Sequence, residues 1–110
     1  MALSKADHQT DRQAILAFQE IQNVGPAMSK DFERLGLQNP QCLIGRDPLE
    51  LYRDICELDR TFHDPCVLDV YLASVEYMNG HPPRPWWEYT SVRKSRYSQD
   101  IEQLRDRFSS

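Results

Sequence analysis

No stretch of this sequence alternates apolar and polar residues with the period of a half-buried strand, and no long stretch is both apolar and free of charge. The longest strongly apolar run without a charge covers residues 70–75, far short of the roughly 20 residues that a membrane-spanning helix needs. A strand-based fold and a membrane span are therefore both set aside. Residues 1–12 hold no apolar core of the kind a secretory leader carries, so a cytoplasmic location is expected. Cysteine is scarce and odd in number, with Cys42, Cys56 and Cys66 irregularly spaced. Without an export signal, that pattern predicts free thiols rather than a disulfide framework. Positive charge is also in deficit: the formal net charge is -4, so the chain as a whole does not attract a polyanion such as duplex DNA.

What is present fits one domain. The chain has 110 residues, 40% apolar and 27% charged, enough to build a single core and too few for a two-domain enzyme. Charge is unevenly spread. Residues 1–80 carry 7 Lys and Arg against 13 Asp and Glu, a balance of -6, whereas residues 81–110 carry 6 against 4, a balance of +2. Any attraction to phosphate must be local.

Helix signals punctuate most of the chain. Ile15, Phe18 and Ile21 fall near one face of a helix expected over residues 11–22, and 23–25 (Asn-Val-Gly) break it. Pro26 suits the first turn of a second helix that carries Met28, Phe32 and Leu35 on one face, with Gly36 as its left-handed stop. Asn39 and Pro40 start a short connector. Asp47, Pro48 and Glu50 stand in the order of cap, first-turn proline and N3 acid, predicting a helix that buries Leu51, Ile55 and Leu58 and leaves Glu50, Asp54 and Glu57 as an acidic ridge. Asp64 and Pro65 repeat the cap signature. The helix they open, to about Met78, is apolar most of the way round and is expected to be central. After Asn79-Gly80 come Pro82, Pro83 and Pro85, which force an extended strand running into Trp86 and Trp87. Ile101, Leu104 and Phe108 then mark a C-terminal amphipathic helix that is too short to persist alone and must pack on its own domain or on a second copy. The expected division is a flexible N-terminus (1–10), a helical domain (11–89), and a basic linker with the C-terminal helix (90–110).

The run from Ile21 to Phe32 resembles the helix-hairpin-helix motif. With 45–52 (GRDPLELY), 64–68 (DPCVL) and the Trp86-Trp87 pair, the chain is similar to the pathogenicity-locus family of small bacterial proteins, some of which carry the label mitomycin-resistance protein. The resemblance implies an all-α fold: a compact tandem helix-hairpin-helix-like bundle of about five helices, with a Pro/Trp-rich tail and a C-terminal helix. It further implies a link to DNA damage or drug resistance, with a biochemical role poorly defined within the family.

A hairpin of this kind can hold a phosphate, because glycine allows close backbone approach and the amides at the start of the second helix attract an anion. The expected phosphate-contacting residues are Asn23, Val24, Gly25, Ala27, Ser29, Lys30 and Arg34, with Arg93, Lys94 and Arg96 as auxiliary basic groups on the linker. Asn23 replaces a common hairpin glycine, but Asn tolerates left-handed backbone. The matching stretch between Leu58 and Pro65 lacks glycine and is degenerate. One working hairpin predicts weak, salt-sensitive affinity without sequence preference.

The leading expectation is thus a non-enzymatic DNA-backbone-binding module with no cofactor and no structural metal. A protein-interaction module, with the C-terminal helix as its surface and a monomer or helix-exchanged dimer as its state, is the competing reading, favoured by the acidic net charge. A third is a thiol redox or metal protein using Cys66 and His63, with Cys56 as a zinc ligand and Cys42 or His81 as a fourth. Trp86, Trp87 and Tyr89 are expected to anchor the Pro-rich strand on the core, with base stacking as the alternative.

Overall fold

A computed structural model describes residues 12–109. Among them are four α-helices, α1 (Pro26–Arg34), α2 (Pro48–Asp59), α3 (Cys66–Met78) and α4 (Thr90–Phe108), and three short 3-10 helices, Phe18–Glu20, Pro40–Leu43 and Trp86–Tyr89, with no strand. The all-α expectation holds in this form, with four α-helices where about five helices were expected. The N-terminus expected to be flexible (1–10) lies outside the described residues.

Helix ends follow the sequence signals closely. Asp47 caps α2 by accepting the Leu49 amide at 2.9 Å, and Asp64 does the same for α3 through the Cys66 amide at 2.8 Å. Gly36, with φ 88°, closes α1. The Gly36 and Leu37 amides turn back to the carbonyls of Glu33 and Phe32, the paired bonds of a Schellman stop. Gly80, φ 104°, ends α3 in the same way through bonds from Gly80 to Tyr77 and from His81 to Glu76. Arg12 adds two side-chain bonds there, to the carbonyls of Tyr77 at 2.6 Å and His81 at 2.8 Å, placing a cation at the negative end of the α3 dipole.

The core forms around α3. Every residue from Leu68 to Val75 is buried, and the fold packs α2, the 3-10 turns Pro40–Leu43 and Trp86–Tyr89, and α4 around this helix. Phe32 of α1 stands between Phe18 and Tyr71, each ring 5.1 Å away. The Tyr71 hydroxyl is buried without a hydrogen-bond partner among the described residues.

Three sequence expectations are corrected. Among the described residues of 11–22, the expected helix does not continue past residue 13: 12–13 are helical and the 3-10 turn Phe18–Glu20 follows, although Ile15, Phe18 and Ile21 are all buried as the pattern required. Spacing by three suits a 3-10 turn as well as an α-helix. The Gln41 side-chain amide donates to the carbonyls of Arg12 at 2.9 Å and Ile15 at 2.7 Å, and the Glu20 carboxylate accepts from the amides of Leu16 and Ala17. In α2, Leu58 is 52% exposed while Tyr52 and Cys56 are buried. The buried face is centred between Leu51 and Cys56, which leaves Leu58 at its edge.

The third correction concerns the tail. Residues 90–97, expected as a basic linker, are the first two turns of the 19-residue α4. The reason is a buried carboxylate that the pattern did not flag as a partner. Asp69 on α3 accepts the Thr90 hydroxyl at 2.8 Å and Arg93 Nε at 2.7 Å, pinning the first turn of α4. Ile101 and Leu104 are buried in this chain's own core, and ion pairs Arg53–Asp100 at 2.8 Å and Arg107–Glu57 at 2.6 Å hold α4 to α2.

Candidate nucleic-acid interface

The turn before α1 is built from a left-handed asparagine and an extended glycine. Asn23 has φ 78°, a conformation open to asparagine at little cost, and Gly25 is the N-cap of α1 with φ -94° and no side-chain cap. Helix geometry leaves the first amides of α1 without acceptors inside the helix. Ser29 is the first to bond back, to the Gly25 carbonyl at 2.9 Å. Pro26 has no N–H, so the amides of Gly25, Ala27 and Met28 form the positive end of α1. Gly25, Pro26 and Ala27 are exposed, and a Cβ built on Gly25 would meet nothing within 4 Å. The start of α1 faces open space. By contrast, the corresponding ends of α2 and α3 are filled by the carboxylates of Asp47 and Asp64, which repel a second anion.

The expected phosphate residues divide. Gly25 and Ala27 flank the open helix end, and Lys30 is exposed one turn further along. The Val24 amide is used within the turn, donating to Ile21 at 3.1 Å, and Val24 itself is buried. Ser29 lies on another side of α1, lining a hollow with Leu16, Phe18, Glu33 and Asn39. Arg34 is committed elsewhere: it pairs with Asp31 at 2.9 Å and with both carboxylate oxygens of Asp59. Arg34, followed by His63 at 2.7 Å, holds the Asp59 carboxyl below the usual carboxylate range.

The Asn23 side chain makes a connection that sequence reasoning missed. Its Nδ2 donates to the Arg84 carbonyl at 2.9 Å and its Oδ1 accepts the Trp86 amide at 3.3 Å. The Pro-rich strand is thereby fastened beside the hairpin. An asparagine at a turn position normally given to glycine was the available signal, because its amide offers a donor and an acceptor that need partners. The strand itself is exposed over residues 81–84 and enters the aromatic turn through Pro85 with φ -61°, ψ 146°, the polyproline form expected. Trp86 is half-buried, and Tyr89 is buried. Trp87 is 61% exposed, with its ring 5.8 Å from that of Trp86 and nearly perpendicular to it. The expectation that both tryptophans lie in the core is corrected for Trp87. Successive residues of a 3-10 turn point about 120° apart, so the two rings cannot share one side.

The auxiliary basic set also divides. Arg93 is bound to buried Asp69, whereas Lys94 and Arg96 are exposed on α4. Cys66 heads α3, but burial and then the Asp64 side chain push its thiol up, away from the reactive thiolate. His63 is turned to Asp59. Among the described residues no three His, Cys, Asp or Glu side chains are grouped to hold a metal ion. No described helix is long and apolar enough to cross a membrane.

These features define a small helical protein with an open, amide-lined turn beside an aromatic strand. The profile of the pathogenicity-locus family matches residues 11–95, and the chain belongs to that family. Among curated proteins, the mitomycin resistance protein McrB of Streptomyces lavendulae is 42% identical over 72 residues, which cover 66% of this chain and 69% of that protein. No solved structure matches.

Proposed function

We propose that this chain is a non-enzymatic module that binds the nucleic-acid backbone weakly and without sequence preference, using a shortened helix-hairpin-helix. The phosphate rests on the amides of Gly25 and Ala27 at the positive end of α1, with Lys30 and Arg84 as nearby countercharges. One observation carries the reading: of the first three helices only α1 starts without a carboxylate cap, and it starts on a glycine whose Cβ direction is empty. The name of that relative concerns mitomycin resistance, and a backbone-binding protein fits a role in tolerance to drug-induced DNA damage. The test is fluorescence anisotropy with labelled DNA at low and raised salt. Binding that weakens with salt and with Lys30→Glu, equally for unrelated sequences, supports the reading. Absence of binding at low salt overturns it.

A protein-docking reading has one specific observation in its favour. Leu16 is 86% exposed on the rim of the hollow shared with Ser29 and Asn39, on another side of α1 from the open helix end. A Leu16→Ser variant that loses a protein partner while keeping DNA affinity would establish it.

A further inference from the structure

Asn23 ties the hairpin to the strand that carries the exposed tryptophan. Asn23 hydrogen-bonds to both sides of the strand, at Arg84 and Trp86, so Trp87 is the next residue after a fixed point. Counting along the chain from Gly25 through Asn23 to Trp87 places the two backbones within roughly 15 Å of each other. The ring is held firmly. It follows a polyproline segment with little freedom left to lose, and its edge-to-face contact with Trp86 braces it from one side.

A large flat ring 61% exposed on a rigid strand needs an occupant, and the neighbouring groups indicate which. An apolar protein partner would be met by a ring of other apolar groups. Among the described residues the other exposed large apolar side chains are Leu16, in the hollow beside Asn39, and Leu58, at the edge of α2; neither belongs to this strand. Three residues before Trp87 on the same strand Arg84 is exposed, and the Asn23 bonds tie that strand to the turn that opens the amides of α1; both groups seek an anion. A flat π-face beside anion-seeking groups matches a nucleotide, with its base on the ring and its phosphate on the hairpin. Glu88, also exposed, opposes this charge pattern and would lower the affinity.

We propose that Trp87 is a stacking platform for an unpaired base, and that the hairpin with this ring selects nucleic acid of single-stranded character over intact duplex. The proposal rests on the backbone-binding reading and deepens it. Duplex bases are stacked on their neighbours and cannot offer a face to the ring, whereas an unpaired base can.

The experiment titrates the full chain against labelled oligothymidylate, the same oligomer with abasic positions, and a duplex of equal length, at one low salt concentration. Oligothymidylate is expected to bind roughly ten-fold more tightly than duplex. Trp87→Ala should remove that advantage and leave duplex affinity unchanged, Trp87→Phe should keep most of it, and the abasic oligomer should bind wild type as weakly as oligothymidylate binds Trp87→Ala. Because Trp87 is exposed, the variants keep their fold, which an unchanged melting temperature verifies. Equal binding of oligothymidylate and duplex, insensitive to Trp87→Ala, overturns the stacking proposal and leaves backbone binding standing. Absence of binding to all three overturns both. A Trp87→Ala variant that keeps every DNA affinity but loses a protein partner assigns the ring to protein docking and overturns the proposal.

Discussion

Arg93 donates its Nε to Asp69 at 2.7 Å, and the Asp69 side chain is completely removed from solvent. A carboxylate so placed has no water to fall back on, and the same group also accepts the Thr90 hydroxyl. Both of its oxygens are occupied by the first turn of α4. Removing the partners strands a buried charge. Arg93→Ala is expected to destabilise the protein by about 3 to 5 kcal/mol, and the double change Asp69→Leu with Arg93→Leu by much less, because it removes the stranded charge as well. Urea unfolding of the two variants measures the difference. Equal losses would mean that the pair contributes only packing.

Gly25 offers a variant that separates folding from binding. Its φ of -94° is ordinary backbone, and a Cβ there meets nothing. Gly25→Val should therefore keep the fold, losing about 1 kcal/mol or less through the weaker N-cap. Its side chain, however, stands where the phosphate would approach the amides. DNA affinity in the anisotropy assay should drop at least about ten-fold, the effect of losing one charge-assisted site. An affinity equal to wild type moves the phosphate away from α1.

The two tryptophans should behave differently. Trp86 is half-buried and gives its amide to Asn23, so Trp86→Ala should destabilise by about 1 to 3 kcal/mol, less than a fully buried ring. Trp87→Ala should change stability by no more than about 0.5 kcal/mol, as surface substitutions usually do. Thermal melts of both variants check this.

Tyr71 carries a hydroxyl that is buried and without a partner among the described residues, while its ring packs against Phe32. Burial pushes that hydroxyl up, so it stays protonated. Tyr71→Phe keeps the ring and removes the unmet group. It should leave stability unchanged or raise it by about 1 kcal/mol, seen as a higher melting temperature. A clear loss would reveal a partner for the hydroxyl.

Acid should loosen the junction between α1 and α2. The Asp59 carboxyl is held below its ordinary value by Arg34 first and His63 second, so the folded state binds a proton there less readily than the unfolded chain. Its contribution is complete above roughly pH 4, the unfolded value, and disappears as the pH falls through the lower folded value. Asp59→Asn should therefore separate from wild type in urea midpoint at pH 7 and converge with it once the pH has fallen through that lower folded value. A gap that persists in acid would point to lost packing.

Most of the helical architecture was legible because its signals are local. Asp47-Pro48, Asp64-Pro65, Gly36 and Asn79-Gly80 each mark a helix end by side-chain or backbone chemistry that acts within a few residues. The failures share a cause. Residues 14–22 lost their α-helix where Gln41 donates to the carbonyls of Arg12 and Ile15, Arg93 lost its solvent to Asp69, and Asn23 found its partners more than 60 positions away. Each is a polar side chain satisfied by a distant segment, which periodicity cannot register. The candidate site was legible in its glycine and its lysine. Its aromatic half was read as core because a tryptophan's burial depends on which way a 3-10 turn points it.

The aromatic turn Trp86–Tyr89 runs into α4 without an intervening loop, since Thr90 is already helical at φ -59°, ψ -43°. The exposed ring thus stands at the root of a rod of 19 residues, about 28 Å long. Tilting the axis of α4 by 10° about its root would swing the far end by roughly 5 Å on that lever arm. The Asp69 anchor acts as the fulcrum, and the Arg107–Glu57 pair near the tip is where such a swing would be felt. The Asp69 anchor at the root and the Arg107–Glu57 pair at the tip therefore fix one helix axis from its two ends.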